Sequence, residues 1–274
     1  MNIKKEYTFT NNRQIWRVIP VEGDRLVIED RDAESREAFF NCIEMKTGNR
    51  ILENFQLEEK FWLGIEDIYN NTIFFYRYMM PNMPQHKGII AFDISKKTVI
   101  WEQPDYSFSF INNGRLVCYQ QRFEGRDFYV LDCNTGELIE EIGNDSTRVH
   151  ILKENSAGLL DSPEFHFPEQ FYEGKEIEDE SKVFLLEFMK KYSVQGAVEY
   201  LPYKKAIMLN TFEPNDKGTL KNVFRVFDFQ AKKILFSEVL NGNANAAVPD
   251  SFFMKNNLIF LLVEKTNLLV CSVN

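Results

Sequence analysis

A short phrase recurs four times in this chain, and its period constrains the fold more than any other feature. Each copy joins one extended apolar run to another through an acidic residue and a tight corner. The copies read Glu44-Met-Lys-Thr-Gly48, Asp93-Ile-Ser-Lys-Lys97, Asp132-Cys-Asn-Thr-Gly136 and Asp228-Phe-Gln-Ala-Lys232. Apolar residues follow each corner: Ile51-Leu52, Val99-Ile100-Trp101, Leu138-Ile139 and Ile234-Leu235-Phe236. A repeated unit of roughly 40 to 50 residues that holds four short strands reads as a propeller blade.

The strands follow from alternating apolar residues and from the turn residues between them. The first group covers 15–19, 25–30, 38–44 and 51–57, and the second 61–68, 72–79, 88–94 and 98–102. The third covers 106–111, 115–123, 127–132 and 138–142, and the fourth 197–201, 206–212, 223–229 and 233–239. A last group, 251–254, 258–264 and 268–273, is one strand short. A spare extended piece, Glu6-Tyr-Thr-Phe-Thr10, precedes the first group. Pairing it with the last group leaves no long open edge. The expected fold is all-β: one five-bladed β-propeller domain over residues 1–274, closed by its N-terminal strand.

The interval from Asp132 to Asp228 is about twice the others. Either a sixth blade lies there or an insertion does, and residues 144–195 read as a partly helical insertion between blades 3 and 4. Phe184, Leu185, Phe188, Met189 and Tyr192 fall on one helical face, with Ser181 as a plausible N-cap. That face is expected to pack on the sheets. Residues 163–172, rich in Pro and aromatic rings, read as irregular.

Composition agrees with strands: 25 Phe and 11 Tyr suit half-buried pleated surfaces. The net charge of −9, without a basic block, argues against nucleic acid and against an anionic membrane surface. The two lysines near the N-terminus are not followed by an apolar segment, so an export signal is not expected. The four cysteines form no CxxC pair and lie mostly in strand-like runs, as buried reduced thiols would. These readings place the protein in the cytoplasm.

The phrase D-x-x-T-G-x-x-x-W resembles the repeat of quinoprotein-type and WD-like β-propellers. Asp132, Thr135 and Gly136 match its first half, and Asp93 and Trp101 match its ends. The other copies hold Leu52, Glu140 and Phe236 at the Trp position. The resemblance implies architecture. The quinone and metal site of those dehydrogenases has no counterpart here, and no cofactor is expected. The whole chain also resembles uncharacterised bacterial propellers without an assigned activity.

Strand direction turns this fold into a map of two ends. One end receives the tight turns. The other receives Arg31–Glu37, Met80–Lys87, Pro214–Leu220, Asn241–Pro249 and the insertion, which read as long loops and hence as the working surface. Trp62, Tyr106, His86 and His166 are the expected ligand-binding residues there. The expected function is non-enzymatic binding of a protein, sugar or other small molecule. The alternative is a carbohydrate-active enzyme with Asp105, Asp250 and Glu199 as its carboxylates, by analogy with other five-bladed propellers. The histidine spacing matches no metal motif, and His150 with His166 and Glu164 is the one metal set conceivable.

Overall fold

The structure, a computed structural model, describes residues 1–80, 83–156, 163–175, 181–229, 231, 233–247 and 252–274. The described residues form an all-β fold of 22 strands in five antiparallel sheets, with two helices. Strand β1 (Ile3–Thr10) opens the chain.

The compact unit Arg13–Ser162 carries three four-stranded meanders. The first sheet comprises β2 (Gln14–Val21), β3 (Arg25–Asp32), β4 (Glu37–Glu44) and β5 (Arg50–Phe55). The second comprises β6 (Leu63–Tyr69), β7 (Thr72–Met80), β8 (Met83–Asp93) and β9 (Thr98–Gln103). The third comprises β10 (Ser107–Asn112), β11 (Arg115–Arg122), β12 (Gly125–Asp132) and β13 (Leu138–Gly143), followed by α1 (Ser146–Glu154).

Alternation along each strand gives every sheet two apolar faces, and packing consumes them in sequence. Val27, Phe40 and Cys42 of the first sheet meet Ile65, Phe75 and Phe92 of the second. The opposite face of the second sheet, with Phe74 and Ile89, meets Leu116 and Leu131 of the third. The remaining face of the third sheet (Phe110, Val117, Val130) is covered by Val149 and Leu152 of α1. Asp145 caps that helix, accepting from Arg148 N at 3.0 Å.

The second compact unit comprises Met1–Asn12 and Pro163–Asn274. It begins with β14 (Phe165–His166) and β15 (Glu169–Phe171), then α2 (Ser181–Tyr192). The fourth sheet adds β16 (Val198–Tyr203), β17 (Ala206–Pro214), β18 (Leu220–Asp228) and β19 (Lys233–Ala244) to β15. The fifth runs β1, β22 (Asn267–Val273), β21 (Leu258–Val263), β20 (Phe252–Lys255), β14. The expected pairing of the two chain ends is present: Tyr7 lies opposite Val270 and Phe9 opposite Leu268. Met208, Phe224 and Val226 of the fourth sheet pack on Phe252, Ile259 and Cys271 of the fifth. The other face of the fourth sheet receives α2, whose Phe184, Leu185 and Phe188 lie on Phe171, Val198 and Ile207. Ser181, expected as its cap, is the first helical residue instead.

Two expectations need correction. The stretch 163–172 is not wholly irregular, because β14 and β15 pair with β20 and β16 as short edge strands. Of the loops expected at one end, residues 33–36 and 215–219 are turns, whereas β19 runs on to Ala244 and the described part of Met80–Lys87 is strand. In the β7–β8 hairpin the ladder continues to Met80 opposite Met83, with a register shift between Tyr78 and Met80. That irregularity lets a Pro-containing segment remain extended.

The repeated phrase is a repeated corner. Asp93 Oδ1 accepts from Ser95 N and Lys96 N, both at 2.9 Å, and Asp132 Oδ1 from Asn134 N at 2.8 Å and Thr135 N at 3.0 Å. Asp228 Oδ1 accepts from Ala231 N at 2.8 Å. The longer Glu44 instead takes the Thr47 hydroxyl at 2.6 Å. In every sheet the residue that follows the acid of such a corner, or its equivalent, donates its N–H to the turn of the preceding hairpin. The pairs are Met45 to Asp24 O, Ile94 to Asn71 O, Cys133 to Gly114 O, Phe229 to Lys205 O and Val273 to Asn257 O.

Candidate functional site

Antiparallel order puts the β3–β4, β7–β8 and β11–β12 turns at the same end of their sheets as the β5–β6 and β9–β10 links. Two groups of side chains gather at this end of the Arg13–Ser162 unit, one on each face of the β7–β8 hairpin.

The first group centres on His86, which is in β8 rather than in a loop. Tyr78 lies opposite it in the ladder, so both rings, with Tyr76, share one face of the hairpin. His86 stacks on Tyr76 with centroids 3.4 Å apart and planes 9° from parallel, and meets Tyr78 edge-on at 5.4 Å. Its Nδ1 is 2.7 Å from Glu66 Oε1. Burial raises the Glu66 carboxyl above its usual value, and the His86 contact opposes that shift. Burial also raises the Tyr76 phenol, which lies against Gly64: a Cβ there would sit 2.6 Å from Tyr76 Oη.

A guanidinium–aromatic layer continues this group. Trp62 meets Tyr78 edge-on at 5.9 Å, and the Arg36 guanidinium lies 5.5 Å from the ring centroids of both Phe61 and Trp62. Arg31 lies 5.4 Å from the Trp16 ring and donates to the Phe61 carbonyl at 3.1 Å, the Leu63 carbonyl at 2.5 Å and Glu29 Oε1 at 2.7 Å. The second oxygen of the fully buried Glu29 has no hydrogen-bond partner among the described residues.

The first strand of each of these three sheets carries a register shift at the same place: between Ile15 and Arg17, Ile65 and Asp67, and Phe108 and Phe110. Bulges re-aim side chains. Here they release Trp16, Glu66 and Ser109 from regular alternation.

The second group lines a half-open polar cleft of about 250 Å³ between the second and third sheets. Asp105 lines it, 3.8 Å from Lys87 Nζ, with Gln120 and Arg122 across from them. Tyr106 is outside the lining; its ring packs on Tyr129 at 4.9 Å, and its carbonyl accepts from Gly88 N at 2.8 Å.

Of the expected ligand residues, Trp62 and His86 are therefore bridged by Tyr78. Tyr106 is a packing residue beside the cleft. His166, in β14 and half-buried, lies 6.1 Å from the Tyr203 ring in the other unit. Of the three carboxylates, Asp105 is exposed in the cleft, and Glu199 is buried on β16 with Asn210 Nδ2 at 2.7 Å. Asp250 lies outside the described residues. His150, His166 and Glu164 do not gather: no group of three metal-ligating side chains occurs among the described residues, and His150 faces Glu154 at 3.2 Å on α1.

Sequence reading missed Glu66, Tyr76, Arg31 and Glu29. The available signal was the hairpin itself. Continuing the β7–β8 ladder past the expected loop brings His86 opposite Tyr78.

Comparison with known proteins adds little chemistry. A family model described as a domain of unknown function (DUF4905) matches residues 20–101. No curated protein matches the chain. Among solved structures it is similar to a europium-containing methanol dehydrogenase, at 10% identity and a TM-score of 0.35 over 97% of this chain and 52% of that one. It is also similar to an acylaminoacyl peptidase of Pyrococcus horikoshii, at 13% identity and a TM-score of 0.33 over 92% of this chain and 43% of that one. A third is Hsv2 of Kluyvelomyces marxianus, at 10% identity and a TM-score of 0.32 over 91% and 76%. The chain thus spans about half the length of the first of these, and no activity or residue role is carried over from any of them.

Proposed function

We propose that the five sheets are the blades of a β-propeller, closed by the N-terminal strand, and that the protein is a non-enzymatic binding module of the cytoplasm. The five repeated corner hydrogen bonds and the pairing of β1 with β22 support the architecture. Four cysteines held as buried thiols fit a reducing compartment.

One observation carries the binding role. Large apolar side chains protrude at the end that bears the β7–β8 and β11–β12 turns: Trp16 is 56% exposed, Met79 46%, Met83 42% and Phe123 fully. The turns at the other end are short and polar, built on Gly23-Asp24, Asn70-Asn71 and Asn113-Gly114. Exposed aromatic and thioether groups concentrated on one surface are the composition of a protein-binding surface.

The alternative, glycoside hydrolysis, needs two carboxyl groups about 5–10 Å apart. Asp105 is the only carboxylate that lines the cleft among the described residues, which favours binding over hydrolysis. The test is partner capture with wild type, a Trp16→Ser/Phe123→Ser variant and a Lys97→Ser control at the opposite end. Loss of the same partner in the double variant alone is expected. An unchanged partner profile in the double variant would sink the proposal.

A further inference from the structure

The geometry points to a binding site for a small neutral polyhydroxyl compound, a monosaccharide or cyclitol, in the cleft between the second and third sheets. The inference does not depend on the ring architecture, because every residue it uses belongs to two adjacent sheets of one compact unit, and it shares Met79 alone with the exposed side chains of the protein-binding surface.

Size comes first. The cleft encloses about 250 Å³. That is below the roughly 300–1,000 Å³ of sites for drug-sized ligands, so its occupant is a single small ring. Lining chemistry comes second. Met79 supplies one apolar patch, and the remaining walls are amide, hydroxyl and charged groups. An apolar ligand would strand them unpaired.

Charge narrows the class further. The Arg122 guanidinium is already held by Asp127 at 2.8 Å, and Lys87 faces Asp105 at 3.8 Å. An anion would meet Asp105, and a cation would meet Lys87 and Arg122. A neutral ligand avoids both conflicts. A hydroxyl is donor and acceptor at once, and the cleft offers both kinds of partner. At 3.8 Å the Lys87–Asp105 pair is too long for a direct hydrogen bond. Asp105 accepts none from the described residues, and the Gln85 amide makes none with them. Gln120 Oε1 is occupied by Arg122 at 2.8 Å, which leaves its amide N–H groups to donate. Asp105 accepts, Lys87 and Gln120 donate, and Gln85 does both, which matches adjacent ring hydroxyls.

Saturation-transfer NMR on the full chain tests this with methyl α-glucoside, methyl α-galactoside, myo-inositol and, as the zwitterionic competitor, L-alanine, each at millimolar concentration. Asp105→Asn and Gln120→Ala are compared with Lys96→Met at the far end of the second sheet. The Asp105 side chain is 73% exposed, so its variant is expected to fold. The expected result is transfer to at least one polyol, weakened about tenfold or more by Asp105→Asn and Gln120→Ala and unchanged by Lys96→Met. Absence of transfer to every polyol, preference for alanine, or affinity indifferent to both cleft variants would each overturn the assignment.

Discussion

Trp101 of the second sheet lies flat against Gly136 of the third: a Cβ at Gly136 would come within 2.6 Å of Trp101 Cδ2. The indole Nε1 donates to the Cys133 carbonyl at 3.0 Å, and Gln103 Nε2 donates to the Gly136 carbonyl at 3.0 Å. The corner of one sheet is thus the seat for the last strand of its neighbour. The Trp and Gly of the repeated phrase meet in space although they belong to different copies.

Gly136→Ala should therefore be costly for two reasons. Gly136 has φ +71°, where a Cβ is strained, and the Cβ collides with a ring that is itself packed on Phe74 at 5.8 Å. A loss of about 2–4 kcal/mol is expected, with a shift in Trp emission. Urea denaturation followed by fluorescence measures both.

His86→Ala should destabilise by about 1–3 kcal/mol, because it leaves the half-buried Glu66 carboxylate without its partner. Adding Glu66→Gln should restore part of the loss. A double-mutant cycle in thermal denaturation checks this, and additive losses would mean that the pair is not coupled.

Asp67, on the strand that carries Glu66, has its carboxyl raised by burial, with one opposing hydrogen bond from Ile68 N. The raised value means that the folded state holds this proton more tightly than the unfolded chain does. The ionised form therefore costs the folded state, and that cost appears as pH rises through and above the ordinary carboxyl value of about 4. Wild type should lose stability relative to Asp67→Asn as pH is raised from below the ordinary carboxyl value to neutrality. Paired melting curves across that range give the difference.

Two changes at the chain ends should contrast. Lys5→Ala breaks an exposed 2.6 Å pair with Glu238 and should change stability by less than about 1 kcal/mol. Phe9→Ala, at a residue only 4% exposed, should cost about 3–5 kcal/mol. Urea midpoints of the two variants decide it.

Much of the fold was legible because hydrophobic alternation and corner chemistry are local. The β3, β17 and β21 starts at Arg25, Ala206 and Leu258, and the C-terminal end of α2 at Tyr192, fall where the sequence puts them. Strands β14 and β15 were not legible, since two or three residues carry no periodicity and Pro163 and Pro168 flank them. The Glu66–His86–Tyr76 group was hidden for a different reason. Its members are isolated in sequence and gather only through the bulge in β6 and the unexpected length of the β7–β8 hairpin. Asp105 was legible as a residue at the right end of its sheet. The absence of a second cleft-lining carboxylate beside it, among the described residues, was not.

The pairing of β1 with β22 has a consequence for synthesis. Glu6 and Ser272, joined by a 2.6 Å hydrogen bond, are 266 residues apart. At ribosomal rates of about 5–20 residues per second, the first strand waits on the order of tens of seconds for its partner. Until then its polar backbone is an open template for neighbouring nascent chains, and a polysome crowded with this message is where misassembly would begin.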